Sequence, residues 1–191
     1  MATDAGAGFD SRGLGLRVQK KLLGKMSNKK IAKIFVDETL AQVLDNMCRI
    51  LKDYSSNKKE VEKILKYIIK TIVKIGILFR NDQFNQAELT KIEVFKQKFN
   101  NLAMTIISFC EVDFTYDRIF LQKNLEECRS LIQEIVNRHL TDKSKTRIDT
   151  VFRYFSDTDL LDELFSSSSK YKDQLNLIVA DMHKMIDEGN L

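Results

Sequence analysis

Cys48, Cys110, Cys128, His139 and His183 are the side chains in this sequence best suited to nucleophilic or metal chemistry, and their spacing favours neither. Three cysteines, odd in number and far apart, frame no disulfide scaffold and no metal-ligand pattern. The two histidines lie in no triad-like arrangement. Cys128 and His139 sit eleven residues apart and can share a helix face. Cys128, however, falls in an apolar row, and His139 falls near a helix end, where a cation complements the dipole. The glycines fall mostly in or near the first 15 residues, so no glycine-rich phosphate loop exists. The acidic run Asp157–Glu163 suits the start of a helix. The expectation is a protein that is not an enzyme, with no catalytic residue, no metal and no resident cofactor.

The basic residues carry more information. Residues 11–80 hold 17 Lys and Arg against six Asp and Glu, whereas residues 81–191 hold 14 against 19. A polycationic N-terminal part favours an anionic partner. Arg17, Lys20, Lys21, Lys25, Lys29, Lys30 and Lys33 crowd its first third, and Lys59, Lys63, Lys66, Lys70 and Lys74 recur further on. The cations are mostly lysine, without aromatic residues interleaved for base stacking, so nucleic acid is not the expected partner. Point charges beside an amphipathic helix suit a membrane surface bearing phosphoinositides.

The elements that hold these charges are helical. The chain has no proline and seven glycines, four of them before residue 16. Average usage predicts about nine or ten prolines, and a chain without them has no obligate helix breaker. Asn57 and Glu60 form a capping-box signature ahead of a long apolar run ending at Arg80. At about 100° per residue, Val61, Leu65, Ile68, Ile72, Ile75 and Phe79 form one ridge, and the five lysines form another within roughly 80° on the opposite side. A helix apolar on most of its circumference belongs in the middle of a bundle, with its lysines reaching water at an edge.

Around it, residues 1–10 read as a disordered leader and residues 11–27 as a short basic amphipathic helix carrying Leu14, Val18, Leu22 and Met26. That helix either lies on a membrane interface or packs on the bundle. Residues 28–191 read as one bundle. Its helices run from about Lys29 to Tyr54, along the central stretch, from Asn85 through Phe109, to about Leu140, through Phe155, through a turn at Leu160–Leu164, and finally to Gly189. Ser166–Ser169 reads as an exposed, flexible linker. The fold class is all-α, a single bundle of about six helices behind the amphipathic one. No 18-residue window is free of charge, and no signal peptide or lipidation motif is present, so a cytoplasmic protein with peripheral membrane association is expected.

A family resemblance adds to this. Gln19-Lys20-Lys21-Leu22-Leu23-Gly24-Lys25-Met26, Asp37-Glu38-Thr39, Phe79-Arg80-Asn81-Asp82-Gln83-Phe84, Val112-Asp113-Phe114-Thr115-Tyr116-Asp117-Arg118 and His139-Leu140-Thr141 occur in order. Together they resemble the TIPE family, the TNF-alpha-induced protein eight-like proteins, from about residue 14 to the end. The resemblance implies a death-effector-domain-like bundle with altered topology and a central apolar cavity. It implies phosphoinositide binding or transfer at the inner leaflet, a bound phospholipid or fatty-acyl ligand, signalling-protein partners, and roles in TNF-linked signalling, cell death and inflammation. Position by position, it places headgroup contacts at Lys20, Lys21, Arg80 and Lys96. It suggests Leu65, Ile68, Ile72, Ile75, Phe79, Leu102 and Ile106 as cavity lining. Lys96 stands where arginine is common, which weakens bidentate phosphate contact. Cys110-Glu111 and Lys145-Thr146 depart from the family pattern and suggest a divergent, invertebrate member. Mixed-charge faces and the serine linker also permit a second reading, a protein–protein adaptor of the death-effector type without lipid cargo.

Overall fold

Six helices of this chain begin at an Asp or Asn whose carboxylate or amide oxygen accepts a first-turn N–H, which fixes where each starts. A computed structural model describes residues 8–24 and 35–189. Among these residues it contains eight helices and no strand: α1 (Ser11–Leu23), α2 (Glu38–Tyr54), α3 (Lys58–Arg80), α4 (Gln86–Glu111), α5 (Arg118–Val136), α6 (Asp142–Phe155), α7 (Thr158–Phe165) and α8 (Lys172–Asp187). The capping residues are Asp10, Asp37, Asn57, Asn85, Asp117 and Asp157. Each such cap contributes about 1 kcal/mol. At Asn85 the capping box is reciprocal: its side chain accepts the Glu88 N–H at 2.9 Å, and Glu88 accepts the Asn85 N–H at 2.8 Å. Gly189, at φ 67°, follows the last turn of α8 in the left-handed conformation that suits glycine.

Three expectations are corrected. The second helix does not run through Phe35: residues 35 and 36 form a bend, and α2 begins at Glu38 because Asp37 caps it, accepting the Leu40 N–H at 2.9 Å. The turn at Leu160–Leu164 is a complete helix, α7, so seven helices follow α1 among the described residues. The serine linker is half packed, since Ser169 is buried and its Oγ accepts the Tyr171 N–H at 3.2 Å. The expectations for residues 1–7, and for Lys25, Met26, Lys29, Lys30, Ile31, Lys33 and Ile34, lie outside the described residues.

Helix α3 packs against α1, α2 and α6. Its fully enclosed row is Val61, Leu65, Ile69 and Val73, each 0% exposed, continued by Ile77. Burying each such side chain stabilises the fold by roughly 1.5–3 kcal/mol. The predicted ridge was placed one step round the helix. Ile68 and Ile72 are half-buried and join the same apolar cluster as Leu14, Val18 and Leu22 of α1, and Phe79 is 45% exposed. The amphipathic first helix therefore packs on the bundle. A second cluster, with Ile92, Ile132, Val136 and Ile148, joins α4, α5 and α6, and a third, with Leu102, Leu121, Cys128 and Leu161, joins α4, α5 and α7.

Candidate functional site

Gly76 leaves room on α3 for the ring of Phe35, whose backbone is bonded to α1. The Phe35 ring lies so close that a Cβ on Gly76 would stand 2.3 Å from it. The Phe35 N–H donates to Gln19 Oε1 of α1 at 3.3 Å. At about 100° per residue, Arg80 falls only about 40° round the helix from Gly76. Lys20 and Lys21 follow Gln19 directly, so the last turn of α1 is held to the C-terminal end of α3, where Arg80 lies. Lys96 of α4 reaches the same end, with its ammonium 5.8 Å from the centre of the Phe79 ring. Lys96 therefore meets α3 beside Arg80, while Lys20 and Lys21 are joined to α3 through Gln19 and Phe35.

Lys20, Lys21, Arg80 and Lys96 are all exposed. Lys96 pairs with Glu93 at 2.8 Å, while Lys20, Lys21 and Arg80 have no ion-pair partner among the described residues. Exposed cations without acidic neighbours keep their attraction for an incoming anion. Nothing in the sequence signalled the contact between Phe35 and Gly76. Phe35 was assigned to a helix, and nothing local announces that a glycine inside α3 is a contact point.

The seven predicted lining residues are distributed differently. Leu65, Ile68, Ile72 and Ile106 belong to the first apolar cluster, Ile75 packs on the second, Leu102 lies in the third, and Phe79 is at the surface under Lys96. A half-open groove of about 310 Å³ lies elsewhere, between the end of α4, the α4–α5 connector and the α7–α8 connector. Phe109, Phe114, Phe165 and Leu175 line it with Cys110, whose thiol burial pushes up to about 11. Beside it, Val112, Phe114, Ile119 and Phe120 form a run of exposed apolar side chains, Phe114 at 98%. Phe114 also holds φ at 62°, an uncommon conformation for a bulky residue.

The two residues considered for nucleophilic chemistry are separated. Cys128 is fully buried in the third cluster, where burial raises its thiol above the ordinary value. The His139 ring packs edge-on against Phe84, and its Nε2 lies 3.2 Å from Glu88 Oε1. Glu88 also accepts two hydrogen bonds from Arg138, at 2.6 and 2.8 Å, tying the start of α4 to the end of α5. The acidic residue Asp162 accepts from Tyr116 at 2.8 Å and from Arg118, which anchors α7 to the α4–α5 connector.

The fold and this surface define an all-helical protein with a basic amphipathic helix docked on a central apolar one. Among the described residues no helix is long and apolar enough to cross a membrane. Residues 9–189 match the family model described as tumor necrosis factor alpha-induced protein 8-like, and the chain belongs to that family. It is 48% identical to tumor necrosis factor alpha-induced protein 8 of Bos taurus, over 100% of this chain and 95% of that protein. It is 46% identical to the 8-like protein 1 of Danio rerio, over 96% of this chain and 98% of that protein. It is also 46% identical to the protein salivary glands marred of Drosophila melanogaster, over 96% and 97%.

Proposed function

We propose that this chain is a non-enzymatic regulator that binds, or carries between membranes, phosphoinositides, and acts in TNF-linked signalling, cell death and inflammation. What supports the reading is that Lys20, Lys21 and Arg80 are exposed, have no ion-pair partner among the described residues, and lie on two helices, α1 and α3, that pack together and share one apolar cluster. Headgroup phosphates meet the cations and acyl chains meet Ile68 and Ile72. The protein works from the cytoplasm and touches the inner leaflet peripherally. Electrostatic attraction near an anionic leaflet is worth about 1 kcal/mol per Lys or Arg.

Co-sedimentation with phosphatidylcholine vesicles, with and without phosphatidylinositol 4,5-bisphosphate, tests it. Binding is expected only with the phosphoinositide, and Lys20→Glu with Lys21→Glu should abolish it. Equal binding to both vesicles, or an unaffected double variant, sinks the reading.

A second reading, a protein–protein adaptor, draws support from the exposed run Val112, Phe114, Ile119 and Phe120 beside the groove. Native mass spectrometry of the purified protein separates the two. Co-purifying lipid supports the carrier, whereas a lipid-free protein whose Arg80→Glu variant keeps its partners supports the adaptor.

A further inference from the structure

The lysine ridge of α3 faces α6, and there it meets cations where carboxylates would be expected. Tyr67 and Lys74 lie about 180–200° round the helix from Gly76, so this face points away from the α1 contact. The Tyr67 ring carries two cations: Arg147 of α6, 5.2 Å from its centre, and Lys63, 5.9 Å from it. Two turns further on, half-buried Lys74 donates to Ser144 Oγ of α6 at 2.6 Å. Ser144 is itself buried and shares a hydrogen bond with Thr141 Oγ1 at 3.1 Å.

The carboxylates of α3 and α6 are engaged elsewhere. Glu62 pairs with Lys52 and Lys66, Asp142 with Lys145, and Asp149 with Arg129. Glu60 serves the Asn57 cap. Among the described residues, no carboxylate lies within ion-pair distance of Lys63, Lys70, Lys74 or Arg147. Burial, and then the charges of Arg147 and Lys70, push the Lys74 ammonium below the ordinary lysine value. Like charges held together without a counter-charge oppose folding, and a bound anion relieves that repulsion.

We infer that the face where α3 meets α6, carrying Lys63, Lys70, Lys74, Arg147 and Tyr67, binds a ligand carrying several phosphomonoester groups. Four cations match more charge than one phosphate supplies. Arg147 offers a planar fork for one phosphate, and the lysines offer point charges for others. A nucleotide base is disfavoured, because Lys63 and Arg147 already occupy the one aromatic ring it would stack on. The site is separate from the α1-face cations. It neither requires nor is required by the phosphoinositide reading above.

The same phosphate chemistry comes from a free inositol polyphosphate or from a lipid headgroup, and two probes distinguish them. Isothermal titration of the full chain with inositol hexakisphosphate, at physiological salt, reads the first. Flotation with phosphatidylcholine vesicles containing phosphatidylinositol 4,5-bisphosphate reads the second. Lys70→Gln with Arg147→Gln should weaken binding at least about tenfold, the least expected from losing two charge-assisted contacts. Lys74 is left in place because its ammonium already donates to Ser144. Loss of hexakisphosphate binding in the double variant, with Lys20→Gln/Lys21→Gln unaffected, supports a soluble ligand. Loss confined to vesicle binding supports a lipid headgroup. The idea is overturned if the wild type binds neither probe, if the double variant binds both as well as the wild type, or if only the α1 variant weakens hexakisphosphate binding. Helical circular dichroism checks folding, and Lys63→Gln, a single change at the exposed rim, decides the matter if the double variant unfolds.

Discussion

Phe35 and Gly76 touch so closely that no side chain larger than hydrogen fits at position 76 without moving the ring. Gly76→Ala therefore sets two effects against each other. Alanine favours the helix by roughly 1 kcal/mol, whereas overpacking costs typically about 1–3 kcal/mol. A Cβ at 2.3 Å from a ring atom can be accommodated only by displacing Phe35, so the second effect wins. Urea denaturation should show a net loss of up to about 2 kcal/mol. Hydrogen exchange should quicken along residues 14–23, because Gln19 loses its anchor. Unchanged exchange there would show that α1 is held by other contacts.

Glu88 predicts an acid-sensitive junction. Arg138 above all, then the Asn85 N–H and His139, hold its carboxyl at about 2 against an ordinary value of 4.5. A depressed folded-state value contributes stability that is complete above pH 4.5 and is lost as pH falls towards 2. Glu88→Gln should flatten the dependence of stability on pH in that window. Glu88→Ala removes both the box and the Arg138 fork and should cost about 2–3 kcal/mol at neutral pH. Denaturation midpoints measured from pH 5 to pH 2.5 test both, and parallel curves for wild type and Glu88→Gln would refute the assignment.

Phe114 combines near-complete exposure with positive φ, so the fold gains little from its ring. Phe114→Asn should raise stability by about 0.5–1 kcal/mol, since asparagine tolerates the left-handed region. A thermal scan showing a lower midpoint would mean that the ring packs after all. If partner capture by the folded protein falls at the same time, the exposed run is a docking surface and the adaptor reading gains.

Lys74 is half-buried without a carboxylate, and its ammonium is disfavoured by burial and by Arg147 and Lys70. Lys74→Met keeps the aliphatic stem, removes the charge, and leaves Ser144 its bond to Thr141. Stability should change by less than about 1 kcal/mol, because the lost hydrogen bond is offset by relief of desolvation. A loss above 3 kcal/mol in guanidinium titration would make Lys74 a structural post.

What the sequence disclosed was what local rules govern. Asn85 and Glu88 lie three apart and announce their own helix start, and Gly189 announces an end. The apolar run after Asn57 disclosed α3 and its lysine ridge. Periodicity placed the enclosed row one step out of true because the depth of each side of α3 depends on how α1, α2 and α6 pack round it, and packing by distant segments leaves no local mark. Asp37 was a visible cap, yet the apolar spacing of Phe35 with later residues masked the bend before it. Tyr67 and Arg147 are 80 residues apart, and only the docking of α6 on α3 brings them together. The same holds for Lys96 and Phe79, whose meeting depends on how α4 turns back after Phe84.

Val18 and Leu22 share a rigid rod with Lys20 and Lys21, and that rod is pinned through Gln19 and Phe35. A force on the two ammonium groups is therefore also a force on the apolar side chains through which α1 joins the core.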